Sequence, residues 1–216
     1  MTIRIKGYRK RVVQLTCRNN EELLELADRI KERITYVNFR LNYKSGNIKI
    51  TLYGPDEIVR EAVREIYEIY RDLRGELYPD VEGLYRYSIK EIIHGSNMIA
   101  IPLNLLAKAL EAKGYKAKVE GGYIRTNAKL CEVKDLALTI SETYNQLRYL
   151  RMTPTCKRLV ALYVAVKDTS IDDAIADLED MKLIRIIKDM DGREKYILAK
   201  EFNQAVELIL CRKSGD

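Results

Sequence analysis

The sequence predicts an α+β protein in which two β-α-β-β-α units, related by internal duplication, precede a small C-terminal domain. Three observations support this prediction. Apolar residues alternate along segments that surround turn signals, and they recur at helical spacing between those segments. The order strand, helix, hairpin, helix also occurs twice, about 75–80 residues apart. The predicted domains span residues 1–76, 84–151 and 153–216.

The first unit begins with a predicted strand that starts near Tyr8. Its apolar residues are Val12, Val13 and Leu15, and Gln14 and Thr16 are predicted on the alternate face. Asn19 and the acidic residues after it have the chemistry of a helix start, which predicts a helix over about residues 21–34. The turn after the following hairpin contains a proline, and it predicts a second helix over about residues 56–74. The sequence Gly75 to Gly83 is rich in turn residues and predicts the boundary of the unit.

The hairpin predicted over residues 36–53 is the best functional lead in the sequence. Its two alternating runs flank a turn at residues 44–47, and their apolar positions form one face. The other face carries no acidic residue, which is typical of a surface that binds polyanions. Its members are Tyr36, Asn38, Arg40, Lys49, Thr51 and Tyr53.

The second unit repeats this order with shorter strands. It contains a predicted second hairpin with Gly121-Gly122 at its turn, and a long helix over about residues 130–150. Lys116, Lys118 and Arg125 are predicted to point outward, so the second hairpin repeats the basic outer face of the first. The two units resemble ferredoxin-like sheets covered by helices, and they could pair edge to edge or pack face to face.

The third region resembles a winged-helix domain in the stretch from Leu178 to Leu198. Its candidate recognition helix, predicted over residues 170–183, contains five acidic residues and one lysine. Acidic side chains would be repelled by the phosphates that line a DNA groove. The acidic helix is therefore expected to mediate protein contact or homodimerisation rather than to read DNA.

The charge of the chain is unevenly distributed. Its net charge of +6 equals the charge of residues 1–18, which contain no acidic residue. A basic strand of this kind either blocks edge-to-edge aggregation or follows a phosphate backbone. The charged content of 32% with few glutamines favours a thermophilic source. The cations in this segment are Arg4, Lys6, Arg9, Lys10, Arg11 and Arg18.

Several classes of protein are disfavoured by what the sequence lacks. It has no phosphate-binding glycine loop, no dinucleotide fingerprint and no nucleophile elbow, and the single histidine, His94, lies in a polar loop. We therefore expect no catalytic residues, no cofactor and no metal site. No apolar run reaches the roughly 18 residues of a membrane span, so we expect a cytoplasmic protein without membrane contact. The four cysteines are predicted to be buried and reduced.

The sequence predicts a non-enzymatic nucleic-acid-binding protein, with RNA as the favoured partner. The alternatives are a protein-interaction or assembly factor and a DNA-binding regulator that uses the C-terminal domain. Neither the closely spaced aromatics of RRM modules nor the G-x-x-G loop of KH modules is present, so the prediction rests on physical analogy. The predicted nucleic-acid contacts are Arg4, Lys6, Arg9, Lys10, Arg11, Tyr36, Arg40, Lys49, Tyr53, Lys116, Lys118 and Arg125.

Several short motifs resemble a family of uncharacterised archaeal proteins. They are the run Tyr85 to Ile93, Ile101-Pro102 at a helix start, Gly114-Tyr115 and Thr126-Asn127 before the long helix. The resemblance spans most of the chain and implies an archaeal, cytoplasmic setting. It implies no active residues.

Overall fold

A computed structural model describes residues 8–44, 46–94, 98, 101–188 and 192–211. The chain divides into two compact units, the first ending at Tyr78 and the second beginning at Pro79. Helices and small antiparallel sheets make up both units, which confirms the predicted α+β class.

The first unit has the predicted β-α-β-β-α order. Its elements are β1 (Tyr8–Thr16), α1 (Asn20–Arg33), β2 (Asn38–Lys44), β3 (Asn47–Pro55) and α2 (Asp56–Leu77). The strands form one antiparallel sheet in the order β1-β3-β2, so the last strand in sequence occupies the centre.

Local chemistry explains where α1 begins and which face of the sheet the helices cover. The Asn19 side chain accepts a hydrogen bond from the Glu22 amide and caps the helix. Alternate residues of the strands then meet apolar stripes of α1 and α2 in one hydrophobic core. Buried members of this core include Val13, Leu15, Leu26, Ile30, Ile48, Ile50, Leu52, Ile66 and Ile69.

Helix α2 is longer than the sequence indicates, because it continues through Gly75 to Leu77. The side chains on either side of this glycine are anchored: Leu73 is fully buried, and the Glu76 carboxylate accepts a 2.8 Å hydrogen bond from Arg29. These contacts outweigh the cost of about 1 kcal/mol that a glycine imposes inside a helix.

The second unit begins with a sheet of the same design. Strand β4 pairs with β6 and β6 with β5, so the strand order β4-β6-β5 reproduces the order of the first sheet. In the described part of the chain, two helices rather than one lie between its first two strands. The sequence also predicts a short strand from Met98 to Ile101, which includes positions outside the described residues. The elements are β4 (Tyr85–Ser88), α3 (Ile89–Ile93), α4 (Leu103–Ala112), β5 (Ala117–Glu120), β6 (Tyr123–Thr126) and α5 (Leu130–Gln146).

Helix α5 ends at Gln146, before its predicted end near residue 150, and a short 3-10 helix (Leu147–Tyr149) follows it. The remaining elements are α6 (Pro154–Lys167), α7 (Ile171–Asp180), β7 (Ile184–Lys188), β8 (Glu194–Leu198) and α8 (Phe202–Cys211). Their buried residues belong to the same hydrophobic cluster as those of the second sheet. The separation of a winged-helix-like domain at residue 153 stays a prediction. Helix α7 ends before Leu183, its predicted end, and Lys182 just beyond it adopts a left-handed φ of 55°.

The cysteines differ in their exposure. Cys17 and Cys156 are buried, and burial raises the pKa of each thiol to about 11. The prediction of burial is wrong for Cys131, because its position on α5 faces solvent while Val133, Leu136 and Ala137 face the core. The side chain of Cys211 lies outside the described part of the chain.

Among the described helices, none combines the length and apolar character that a membrane span requires.

Candidate nucleic-acid interface

The face of the first sheet that points away from α1 and α2 is hereafter called the open face. The register across the sheet determines its members, because side chains alternate between the two faces of a strand. Tyr53 on the central strand lies between Lys10 and Asn38, and Thr51 lies between Val12 and Arg40. Farther along, Lys49 lies between Gln14 and Asn42, and Asn47 between Thr16 and Lys44.

The open face contains no carboxylate among these positions. It carries four cations, Lys10, Arg40, Lys44 and Lys49, and they occur on all three strands. Four amide side chains lie among them: Gln14, Asn38, Asn42 and Asn47. Cations attract phosphate, and amides provide both donors and acceptors for hydrogen bonds to bases.

Exposed nonpolar surface lies beside these charges. The Tyr53 side chain is 40% exposed, and the Lys10 ammonium is 5.9 Å from the centre of its ring. Val12 is 44% exposed, whereas Thr51, on the central strand between Val12 and Arg40, is only 5% exposed. Tyr53 therefore offers an accessible aromatic surface within a basic field, the combination that supports base stacking.

Two predicted contacts, Arg9 and Arg11, have the opposite orientation along β1. Their guanidinium groups lie 3.3 Å and 3.8 Å from the Asp56 carboxylate at the start of α2. Arg60 also contacts this carboxylate and, with the other two arginines, holds the pKa of Asp56 below its ordinary value. The structure therefore places Arg9 and Arg11 at a helix terminus rather than on the open face.

Tyr36 precedes β2 and is also directed elsewhere. Its hydroxyl donates a 2.7 Å hydrogen bond to Glu65 on α2, and Arg33 donates to the same carboxylate at 3.1 Å. Partial burial is the larger cause of a pKa of Tyr36 above its ordinary value, and the hydrogen bond to Glu65 is the next. The structure thus separates the two tyrosines that the sequence predicts to contact nucleic acid, with only Tyr53 of this pair on the open face. Arg4 and Lys6 lie outside the described residues.

The corresponding face of the second sheet also carries cations, but acidic residues accompany them. Arg86, Arg125 and Lys118 lie in one row across the three strands. Arg125 donates to Glu120 at 3.1 Å and also contacts Asp80 and Glu82. The contact with Arg125, together with backbone hydrogen bonds, lowers the pKa of Asp80.

The other predicted residues of the second hairpin are accessible. Lys116 and Lys118 are exposed, Lys118 on β5 and Lys116 just before it. Arg86 lies over the ring of Tyr123, with 4.6 Å between the guanidinium carbon and the ring centre. The structure therefore brings Lys10, Arg40, Lys49 and Tyr53 together in the first unit, and Lys118 and Arg125 in the second.

The sequence analysis missed part of the open face. It treated Lys44 as a turn residue and assigned no role to Gln14 or Asn42. Its account of β1 named Val12 and Val13 together, although only Val13 faces the core. The alternation of Val13 and Leu15 with polar neighbours does predict that Gln14 and Thr16 face outward, and the strand register agrees, but it assigns them no contact with a ligand.

Helix α7 has the exposed acidic side chains that its sequence predicts. Asp172, Asp173, Asp177 and Asp180 are exposed, while Ala174, Ile175 and Leu178 are buried. The structure therefore presents an acidic surface here. Within the residues that the structure describes, no group of three or more His, Cys, Asp or Glu side chains could hold a metal ion.

Comparisons with known proteins give one family match and one structural likeness. No curated protein matches the chain. A chain from the crystal structure of the a/eIF2alpha–aDim2p–rRNA complex of Pyrococcus horikoshii OT3 is 14% identical, with a TM-score of 0.22. That alignment covers 80% of this chain and 94% of the other, and at this TM-score it carries no argument about fold or function.

The model of a family described as "Uncharacterized protein conserved in archaea (DUF2067)" matches residues 15–207, which confirms the archaeal resemblance. The chain belongs to this archaeal family.

Proposed function

We propose that the protein is a non-enzymatic RNA-binding protein that holds single-stranded RNA on the open face of its first sheet. The observation that carries the proposal is the absence of carboxylates from the described strand positions of this face, where Lys10, Arg40, Lys44 and Lys49 are grouped. The whole chain contains 32 acidic residues against 38 basic ones, so an acid-free surface across three strands is a marked local departure.

The chemistry of the face favours an unpaired strand over a duplex. Bases in a duplex are stacked on one another, whereas unpaired bases can stack on an aromatic ring such as Tyr53 and use their free edges for hydrogen bonds. The amides of Asn38, Asn42 and Gln14 lie within one or two residue positions of the cations. Phosphate attraction would supply affinity, and stacking with amide contacts would orient the bases.

The geometry of the sheet matches this role. Adjacent strands are about 4.8 Å apart, and residues two positions apart on one strand are separated by roughly 6.8 Å. Tyr53 and Lys49 are four positions apart on β3, so an extended single strand of RNA could contact both the aromatic ring and the basic side chains of the open face.

The test is fluorescence anisotropy of the full chain with labelled single-stranded RNA, duplex RNA and duplex DNA across a salt series. We expect tightest binding to single-stranded RNA. The slope of the logarithm of the binding constant against the logarithm of the salt concentration, called the salt slope, should correspond to about 0.7 counterions released per phosphate contact. The combined variant Arg40→Glu and Lys49→Glu should lose most of this affinity, because it places two negative charges in the centre of the face.

The matched control is Lys90→Glu with Lys167→Glu, which changes the net charge equally at two exposed helical positions outside the open face. Its affinity should remain close to that of the unmodified protein. Absence of RNA binding at low salt, or equal affinities for the two double variants, would contradict the proposal.

A further inference from the structure

A second surface with binding character lies in the other unit, between helix α4 and strand β5. It is an open cleft of ≈ 710 Å³ lined on one side by Asn104, Lys108 and Glu111, which share a face of α4. A cavity of ≈ 590 Å³ continues it and shares Glu111, Ala117 and Lys118 with the first. The two cavities together are called the β5 groove below.

The wall of the groove formed by β5 has unused backbone hydrogen-bonding capacity. Strand β5 lies at the edge of its sheet, and β6 is its strand partner among the described residues. Glu120 and Tyr123 flank the two-residue turn, and the residues at these positions of a hairpin form a hydrogen-bonded pair. Hydrogen-bonded and non-hydrogen-bonded pairs alternate along antiparallel strands, so Lys118 is bonded to β6 through its backbone, whereas Ala117 and Val119 are not. The amide and carbonyl groups of Ala117 and Val119 consequently point toward the free edge.

The floor of the groove permits close approach to this backbone. Ala107 from α4 and Ala117 from β5 line it, and both have small, buried side chains. A planar group of a ligand could therefore reach the edge of β5. Alternating donors and acceptors on the free edge complement the Watson–Crick edge of a base, which also carries donors and acceptors side by side.

The charges around the groove favour an anionic ligand. Lys108, Lys118 and Arg158 line it from α4, β5 and α6. Three acidic residues, Glu82, Glu111 and Glu120, also line the groove. Arg125 donates hydrogen bonds to Glu120 at 3.1 Å and to Glu82 at 3.4 Å, so two of these carboxylates are already paired with a cation. Lys116 adds another cation at the far end of the groove.

Arg158 has a geometry suited to stacking as well as to charge. Its guanidinium carbon lies 5.2 Å from the centre of the Phe202 ring, and its Nε is buried without a hydrogen-bond partner among the described residues. One face of the guanidinium is thus supported by an aromatic ring. Arginine planes of this kind stack with unpaired bases in RNA complexes.

We propose that the β5 groove binds a short single-stranded nucleotide segment. The bases face the free edge of β5, and Lys108, Lys118 and Arg158 hold the phosphates or stack on the bases. This site uses residues of the second unit alone and does not depend on the open face of the first. A peptide strand is less well matched, because β5 has only four residues and carries lysine at the edge.

The experiment combines affinity with amide hydrogen exchange on the full chain. The variant Lys108→Glu with Lys118→Glu is compared with the control Lys90→Glu with Lys167→Glu, using labelled oligonucleotides of eight adenosines or eight uridines. We expect the groove variant to bind more weakly and its salt slope to fall by about 1.4, from two lost contacts of about 0.7 each. In the unmodified protein, oligonucleotide should slow exchange at Ala117 and Val119.

Unchanged affinity in the groove variant together with unchanged exchange at Ala117 and Val119 would overturn the proposal, and a peptide-binding groove would give this result. The failure of the open-face proposal is distinguishable. If the open face does not bind RNA, Arg40→Glu with Lys49→Glu retains full affinity while the groove variant still loses it. If only the groove is inactive, Lys108→Glu with Lys118→Glu retains full affinity while Arg40→Glu with Lys49→Glu loses it.

Discussion

The two three-stranded sheets share a strand order but differ in the availability of their positive charge. The open face of the first sheet has Arg40 and Lys49 near its centre and no carboxylate on the strand positions around them. On the second sheet, the central Arg125 contacts Asp80, Glu82 and Glu120. A guanidinium with three acidic neighbours has little remaining attraction for phosphate.

The difference arises from a short segment rather than from the strands themselves. Asp80 and Glu82 belong to the turn before β4, and the first sheet has no described counterpart to this turn. Similar outward cations on similar hairpins can therefore have different roles, according to what the preceding loop brings near them. Adding a carboxylate to the open face, or removing the carboxylates beside Arg125, should therefore change how strongly each sheet attracts phosphate.

The largest effect is expected from the aromatic surface of the open face. Tyr53→Ala should weaken RNA binding by about 1–3 kcal/mol if one base stacks on the ring. Tyr67→Ala, at a tyrosine of similar exposure on α2, is the control and should bind normally. Anisotropy titrations at one salt concentration measure both, and equal affinities would show that Tyr53 does not stack.

Making the open face resemble the second sheet should have the next largest effect. Asn42→Asp adds a carboxylate opposite Lys49 with almost no change in shape. We expect weaker binding and a salt slope reduced by about 0.7, as for one lost phosphate contact. Asn20→Asp introduces the same charge at an exposed position on α1 and should leave the slope unchanged; a similar loss in both variants would indicate a general charge effect.

The converse change should make the second sheet resemble the first. Asp80→Asn with Glu82→Gln releases Arg125 from two of its carboxylates while preserving side-chain shape. The salt slope should then increase by up to about 0.7, because one more cation can contact phosphate. Asp172→Asn with Glu201→Gln, at exposed positions, is the charge-matched control. Equal slopes in these two variants would exclude a specific role for Arg125.

The smallest expected effect concerns acid stability, since each unit contains an aspartate of lowered pKa beside its sheet. Arg60 and its neighbours lower the pKa of Asp56, and Arg125 lowers that of Asp80. Such carboxylates stabilise the folded state above the pKa of the unfolded chain, about 3.9. The melting temperature should fall as pH drops below this value toward the lower folded pKa values. Asp56→Asn and Asp80→Asn should each show a shallower decline, which thermal unfolding between pH 2 and pH 5 measures.

Much of the fold could be predicted because its signals are local. The alternation over residues 36–53, the cap at Asn19 and the repeated element order all describe contacts within short stretches. Element ends were less predictable. Helix α2 passes Gly75 because of long-range contacts such as that between Glu76 and Arg29, and no short window of sequence contains such a pair.

The candidate site was only partly predictable for a related reason. Sequence alternation correctly identified the outward side chains of β3, including Lys49 and Tyr53. It did not indicate that Arg9 and Arg11 would meet Asp56, or that Tyr36 would meet Glu65, because those partners lie on α2. Positive charge is readable from sequence, but its neutralisation by a distant carboxylate depends on the fold.

The strand order of the first sheet also has a consequence for how the protein is made. Among the strands that the structure describes, β1 pairs only with β3, so Thr16 meets Asn47 and Tyr8 meets Pro55. During synthesis the N-terminal strand therefore has no hydrogen-bonding partner until the chain has been made as far as β3. Such nonlocal pairing slows folding. Until β3 has been made, β1 is an unpaired strand that carries three adjacent cations, Arg9, Lys10 and Arg11. Repulsion between these charges on neighbouring nascent chains protects the unpaired strand from aggregation.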